Sequence, residues 1–393
     1  MDRREETAVT NLAKLVSVAE YRRTAQRRLP KFVFDYADGA AGDEKTMALN
    51  LRAFDKYLLH PRQQVDVSRI SMETSVLGRT IPFPLMLGPT GLQRMAHRHA
   101  DLEVARGASR TGVPFVVSAS TAFTVEEIRE ASGGGDLWLQ IYPWRDRSAI
   151  EHVVKRAIAC DYSTLVVSVD VPLLARRERD IRNGMSIPPR LSVSNIFQGA
   201  THPRWVTHLV RGPEITFANF ADLVPDSHGM ALMNWVNEEL TNPGSRWDEL
   251  TWLRGLWPGP MVVKGIMTVA DARQAVAKGA DAIVVSNHGG RQLDGTPATI
   301  DVLPRIVDAV GDRTEVLLDG GVRRGTDILK AVALGAKAVL IARPYWWGLA
   351  AGGANGVAGV IDLLRTEFEM AMALSGRPTI ESIGPDLLDP DDA

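Results

Sequence analysis

The sequence predicts an α/β protein, a closed (β/α)8 or TIM barrel with an N-terminal helical cap and one long insertion after strand 4. Three observations predict it. Eight short β-branched runs stand in order along the chain, each ending abruptly in polar or glycine residues. Those runs are continuously apolar, as parallel strands buried on both faces must be. Between them lie helix-like stretches with apolar residues at three- and four-residue spacing.

The runs cover 83–91, 114–120, 137–142, 164–170, 261–266, 282–289, 315–321 and 338–344. Helices are expected at 101–111, 124–131, 271–279 and 325–335, and the last two finish in Gly-Ala, a glycine stop before the next strand. An open doubly wound sheet alternates in the same way, but eight units fit a closed barrel of about 250 residues. Residues 171–260 separate the fourth and fifth runs, far more than a helix needs. Within them 183–247, rich in Pro, Asn and Trp, reads as an insertion or lid of loops and short helices. Residues 1–60 read as the cap, 1–377 as one domain, and the acidic, Pro-containing 378–393 as a disordered tail.

Composition narrows the classes. The 393 residues carry 45 Lys+Arg against 47 Asp+Glu, without the basic excess of a nucleic-acid binder. A lone cysteine, Cys160, excludes an intrachain disulfide and a cysteine-built zinc site; in VVKRAIAC it is expected to be buried and inert. The charged start MDRREET is unlike a signal peptide, and no uninterrupted apolar run is long enough to span a bilayer, so a cytoplasmic chain is expected. No metal is expected. His97 and His99 lack a third ligand and read as solvated, 35–44 lacks the alternation of a calcium loop, and GGANGVAG (352–359) reads as a turn before the last helix.

In such a barrel the chemistry sits at the C-terminal strand ends. Every run delivers a polar group there: Thr90 and Gly91, Ser118, Gln140 and Tyr142, Ser168 and Asp170, Lys264, Ser286 to His288, Asp319 and Gly320, and Arg343. DGGVRRG (319–325) and Arg343 follow the last two strands, where glycine N–H groups, a helix N-terminus and arginines favour a phosphate. Lys264 reads as a snorkelling lysine or, with a lowered pKa, a Schiff-base former. His288 suits proton removal near neutral pH, and Arg291 beside it suits a carboxylate.

SNHGGRQLDG (286–295), with VVKG upstream and LLDGGVRRGTDILKAVALGA downstream, resembles the FMN-dependent α-hydroxy acid oxidase/dehydrogenase family. LPKFVFDYADGAAGDE and GPTGL belong to the same pattern, and the resemblance runs from Tyr21 to about residue 375. GDLWLQIY, RERD (177–180) and HPRW (202–205) place it nearest the (S)-mandelate dehydrogenase branch. The resemblance implies FMN at the barrel mouth, its phosphate on Gly321, Arg323 and Arg343, with Ala342 beside that loop. Pro89, Thr90 and Gly91 run along its ring, with Ser118, Gln140, Ser168, Ser286 and Asp319 among its other contacts. Lys264 faces the pyrimidine end, which displaces the Schiff-base reading. It further implies that His288 takes the substrate proton with Asp170 behind it, while Arg177, Arg291, Tyr36 and Tyr142 hold the 2-hydroxy acid.

The chain departs from the family pattern at Ala342 and Ala175, which replace glycines, at Ser168, which replaces a threonine, and at Pro143-Trp144. Ser120 stands where glycolate oxidases carry a tryptophan, leaving room for an aryl group unless Trp144, Met185 or an insertion residue refills it. Gly91, often alanine in oxidases, favours a dehydrogenase passing electrons to a quinone. The alternatives are a soluble oxidase that reduces oxygen to peroxide and a peptide-modifying flavoenzyme. Relatives attach to membranes through the counterpart of 185–230. Here Arg190, Arg204 and Arg211 offset Glu214, Asp222 and Asp226, so attachment to the inner face of the membrane is not favoured. The resemblance also implies a homotetramer.

Overall fold

The computed structural model describes residues 12–185, 192–223, 230–239 and 241–388. A hairpin, β1 (Thr74–Val76) and β2 (Arg79–Ile81), precedes the barrel. The barrel strands are β3 (Leu85–Leu87), β4 (Phe115–Ser118), β5 (Leu137–Ile141), β6 (Thr164–Ser168), β7 (Met261–Ile266), β8 (Ala282–Val285), β9 (Glu315–Asp319) and β10 (Ala338–Ile341). Each pairs in parallel with its neighbour, and β10 closes on β3 through Val339–Leu85, Leu340–Met86 and Ile341–Leu87. All eight predicted runs are strands. Most stop short of the predicted ends, because their terminal polar and glycine residues leave the ladder to face the mouth.

Alternate residues divide the apolar runs between two cores. Val116, Val166, Val262, Val284, Leu317 and Leu340 fill the barrel interior, while Phe115, Val117, Val263 and Ile283 pack outward beneath the helices. The hairpin, which the sequence reading did not anticipate, inserts Val76 and Ile81 into the interior cluster. It plugs the N-terminal end and leaves the C-terminal mouth as the end with depth. Glycine stops work as expected: Gly279 (φ +88°) follows helix Val269–Ala277, and Gly335 (φ +95°) follows helix Gly325–Ala333.

The cap consists of helices Val18–Arg28, Lys31–Asp38 and Lys45–Arg52. The first of these packs on the final helix, Arg343–Leu374. GGANGVAG lies within that last helix, and its Gly352 and Gly353 form a kink. At Gly353, with φ +58°, a Cβ would stand 2.7 Å from the Glu103 carboxylate. This is the one described helix long and apolar enough to cross a bilayer, yet 67% of its most apolar window is buried inside the protein.

Three expectations need correction. Residues 378–388 are docked, not disordered: Leu387 is fully buried, Ser71 bridges Thr379, and Arg377 donates to Ser382 O (2.7 Å) and Asp386 Oδ2 (2.6 Å). Apolar anchors and a paired arginine outweigh the acidic composition; residues 389–393 lie outside the described residues. Cys160 is half-buried at the C-terminal end of helix Arg147–Ala159. His97 is not solvated. Its ring packs edge-on against His208 (4.7 Å), and burial with that neighbouring histidine pushes its pKa down to about 3.

The insertion is helical where described: Glu178–Arg182, Val193–Ala200, Pro203–Arg211 and Met230–Glu239, with a 3-10 turn at Ala218–Leu223. Trp205 Nε1 donates to Met95 O (2.8 Å), and buried Arg94 donates to Leu209 O and Pro213 O (both 2.9 Å). Asn219 donates to Ala119 O (3.0 Å). These bonds seat the insertion across the mouth.

Because Leu387 anchors the docked tail, Leu387→Ala is expected to lower unfolding free energy by about 2–5 kcal/mol. Urea denaturation at neutral pH measures this; an unchanged midpoint would contradict the docking.

Candidate active site

The mouth opens into a cavity of about 470 Å³. Tyr36, Pro89, Thr90, Gly91, Ser118, Gln140, Tyr142 and Arg177 line it, as do Lys264, His288, Arg291, Asp319, Gly321, Arg323, Ala342 and Arg343. Asp170 stands beside His288, its Oδ2 3.0 Å from Nδ1. Two residues expected at the cofactor do not line the cavity. Ser168 is buried with an unpartnered Oγ. Ser286 is fully buried, and its Oγ accepts from Lys264 Nζ (2.8 Å) and His288 N (3.1 Å). Its place is behind those two side chains.

His288 has φ +58°, and Gly289 (+64°) and Gly290 (+77°) continue the left-handed turn. For a residue with a Cβ this backbone costs about 1–3 kcal/mol and persists only where surroundings dictate it. Burial lowers the His288 pKa, Asp170 opposes that, and Lys264 and Arg177 reinforce it, so the ring sits below its ordinary value. Burial would raise the Asp170 pKa, but His288 and Lys264 hold it below the usual carboxylate range. The result near neutral pH is a carboxylate receiving Nδ1–H, which leaves Nε2 as the ring's lone pair.

Lys264 is buried, with Nζ 2.9 Å from Asp319 Oδ2. Burial would lower its pKa, yet Asp319 and Asp170 outweigh this and raise it. It is therefore a fixed cation rather than an amine nucleophile, which argues against Schiff-base chemistry.

The arginines are differently placed. Arg291 Nη1 donates to Tyr36 O (2.7 Å) and Gly39 O (2.9 Å). Arg343 donates to Ala37 O (3.1 Å), Gly289 O (3.0 Å) and Gly39 O (2.8 Å). Arg323 donates to Val322 O (2.8 Å) and lies 5.1 Å over the Trp347 ring. Among the described residues none of these three forms an ion pair. Burial, then the charge of Arg177, pushes Arg291 down to about 9; burial, then Arg323, pushes Arg343 to about 10; burial alone dominates at Arg323, also about 10. Carbonyl dipoles do not neutralise buried cations, so the arrangement calls for anions.

One anion position lies at Arg323 and Arg343 beside Gly320 (φ +95°) and Gly321 (φ +90°), whose backbone is open to a phosphate. The other lies at Arg291 and Arg177, next to His288. Arg177 Nη1 is 4.0 Å from Asp180 Oδ2, and burial pushes that carboxyl up to about 6. Gln140 Nε2 and Asp319 Oδ1 are buried polar atoms without partners among the described residues.

Residues 25–390 match the profile of FMN-dependent dehydrogenases. The chain belongs to that family. It is 42% identical to 2-hydroxyacid oxidase 1 of Mus musculus over 372 residues, covering 95% of this chain and 96% of the relative. It is 40% identical to (S)-mandelate dehydrogenase of Pseudomonas putida over 376 residues, covering 95% and 94%. The crystal structure of monotopic membrane protein (S)-mandelate dehydrogenase superposes with a TM-score of 0.91 at 39% identity, covering 96% of this chain and 99% of that one. Like other FMN-dependent dehydrogenases, this is an oxidoreductase acting on CH–OH groups, and FMN is its cofactor. The cavity fits that cofactor: a cationic, glycine-lined phosphate position, unpartnered polar atoms on the strand ends, and the fixed cation Lys264.

The strand-end rule missed several lining residues of this FMN-dependent dehydrogenase. Phe217 and Ile181 come from the insertion and Trp346 from the last helix, so no strand signal marks them. Arg323→Met is expected to raise the FMN dissociation constant about 10–100-fold, through loss of a charged hydrogen bond of about 1.5–3 kcal/mol. Recovery of flavin fluorescence on dilution measures it.

Proposed function

We propose that the chain oxidises an (S)-2-hydroxy acid with an aryl side chain, mandelate or a ring-substituted mandelate, to the 2-keto acid. The observation that carries this reading is the wall beside His288 and Arg291. Ser120, Val171, Leu174, Met185 and Phe217 line the same cavity as those two residues, and a small Ser120 leaves room that a tryptophan would fill. Trp144 does not refill it: it is buried against Phe220 (4.3 Å) and Trp235 (6.0 Å), away from the cavity lining. Met185 and the insertion residue Phe217 do reach the lining, as apolar wall, and the cavity still measures about 470 Å³ with them in place.

In this reading Arg291 and Arg177 clamp the carboxylate, and Tyr36 bonds it. Tyr142, pushed up to about 12 mainly by burial, keeps its proton and donates to the substrate. His288 Nε2 takes the substrate proton, and Asp170 stabilises the imidazolium that forms. Lys264 holds positive charge beside the cofactor. FMN held at this mouth would supply the two-electron acceptor that the oxidation requires. Orientation of this kind contributes up to about 7–11 kcal/mol.

The acceptor in this reading is a quinone. Gly91 supports it: an added Cβ would meet only Ser120 O at 3.5 Å, so the space left by the missing methyl is a property of this site rather than a packing need. Anaerobic (S)-mandelate is expected to bleach the flavin, (R)-mandelate to leave it unchanged, and air to restore the colour slowly. Rapid restoration with peroxide would favour the oxidase reading; preference for glycolate or lactate would sink the aryl assignment. Ser120→Trp is expected to cut kcat/KM for mandelate at least tenfold while sparing glycolate.

The rate of reduction should fall as pH drops through the His288 pKa, because the base must be neutral. That acid limb is expected below 6.5. Asp170→Asn removes the charge that raises the pKa, so the limb moves lower still while the maximal rate falls. Stopped-flow reduction across pH tests this.

A second reading concerns the membrane. Helix Val193–Ala200 leaves Val193, Ile196 and Phe197 exposed (83%, 66% and 70%) at i, i+3 and i+4, a face suited to an interface. This favours peripheral attachment despite the balanced charge; Arg190 and Asp226 of that balance lie outside the described residues. Ile196→Asp/Phe197→Asp is expected to abolish co-sedimentation with anionic vesicles.

A further inference from the structure

We propose that the buried pair Asn50–Asn287 is a positioning device that holds the His288 turn and the phosphate loop in one fixed relation. This rests on the reading of His288 as the base and of Gly320–Gly321 as the phosphate position. Neither asparagine lines the cavity.

Asn50 belongs to the cap helix Lys45–Arg52, and Asn287 directly precedes His288. Both are buried, at 2% and 6% exposure. Their amides bond reciprocally: Asn50 Nδ2 donates to Asn287 Oδ1 (2.8 Å), and Asn287 Nδ2 donates to Asn50 Oδ1 (2.9 Å). Three of the four amide atoms make a second bond, to the surrounding backbone. Asn287 Oδ1 also accepts from Gly290 N (3.2 Å), and Asn287 Nδ2 donates to Pro297 O (3.1 Å). These two bonds tie the side chain just ahead of His288 to backbone that follows it, which braces the left-handed turn.

Asn50 faces the other way. Its Oδ1 accepts from Thr299 N (3.2 Å), and Thr299 Oγ1 donates to Asp319 O (2.6 Å) at the start of the phosphate loop. A Cβ on Gly321 would collide with the Asn50 carbonyl, and one on Gly320 would come within 3.2 Å of Asn50 Nδ2. The loop therefore rests on Asn50 with no space between. A strained turn needs surroundings that over-determine it, and these two amides supply them for His288 while seating Gly320 and Gly321.

Only amides satisfy this geometry. Each side chain must donate to and accept from the other, so a carboxylate at either position sets two acceptor oxygens against each other. Alanine at 50 leaves Thr299 N and one side of Asn287 without partners, the costly kind of buried loss.

The test compares Asn50→Ala and Asn50→Asp holoenzymes with Leu387→Ala, a destabilised control whose side chain lies outside the cavity lining. FMN release on dilution is followed by flavin fluorescence, and reduction by (S)-mandelate is followed across pH. Both Asn50 variants are expected to bind FMN at least tenfold more weakly and to reduce at least tenfold more slowly. The control should match wild type in both, even at an equal loss of melting temperature. Unchanged FMN release and reduction in the Asn50 variants would overturn the proposal, as would equal losses in the control. The FMN arm needs no substrate, so it decides on the pair even if mandelate proves to be the wrong acid.

Discussion

Closure of the parallel sheet is the constraint on which everything else in this molecule depends. A closed ladder leaves no edge, and the β1–β2 hairpin fills the N-terminal end with Val76 and Ile81. Polar strand ends then have one place to go. The same apolar alternation that packs Val116 and Leu340 inside the barrel delivers Ser118, Gln140, Lys264 and Asp319 to a common rim, and the left-handed turn after β8 adds His288. Chemistry is concentrated there because the rest of the barrel is filled.

At that rim charge is arranged in two ways. Lys264 and His288 are each matched to a carboxylate, Asp319 and Asp170, and their charge states follow from those partners. Among the described residues Arg291, Arg323 and Arg343 have no carboxylate partner; their side chains hydrogen-bond to carbonyl oxygens. The first group is self-contained. In the proposed reading the second is completed by what binds, with cofactor and substrate anions supplying charge that the polypeptide omits. Arg343 also ties the cap to the His288 turn, because its three acceptors come from Ala37, Gly39 and Gly289.

Much of this was legible in the sequence. Buried parallel strands betray themselves as apolar runs, and the residues just past each run are the rim, so the barrel and most of its lining could be read in order. What resisted reading came from pairings distant in sequence. The hairpin is too short and too polar at Arg79 and Thr80 to announce itself. The docked tail depends on Leu387 finding a pocket and Asp386 finding Arg377, which composition cannot express. Ser286 sits at a strand end like its neighbours but points behind them, and only the bonds to Lys264 and His288 reveal this. Phe217 reaches the cavity from an insertion with no regular spacing to the barrel. Asn50 lies 237 positions from Asn287, and a lone asparagine in a cap helix carries no signal of its own.

The left-handed backbone of His288 has a consequence for engineering. Glycine adopts that conformation without steric cost, so stability selection run without an activity requirement has a route to improve this protein by discarding its histidine. With His288 as the proposed base, consensus or thermal-shift optimisation pulls against turnover at this position, a local instance of the stability–activity conflict. Any library that includes residue 288 has to be screened on electron transfer rather than on melting temperature.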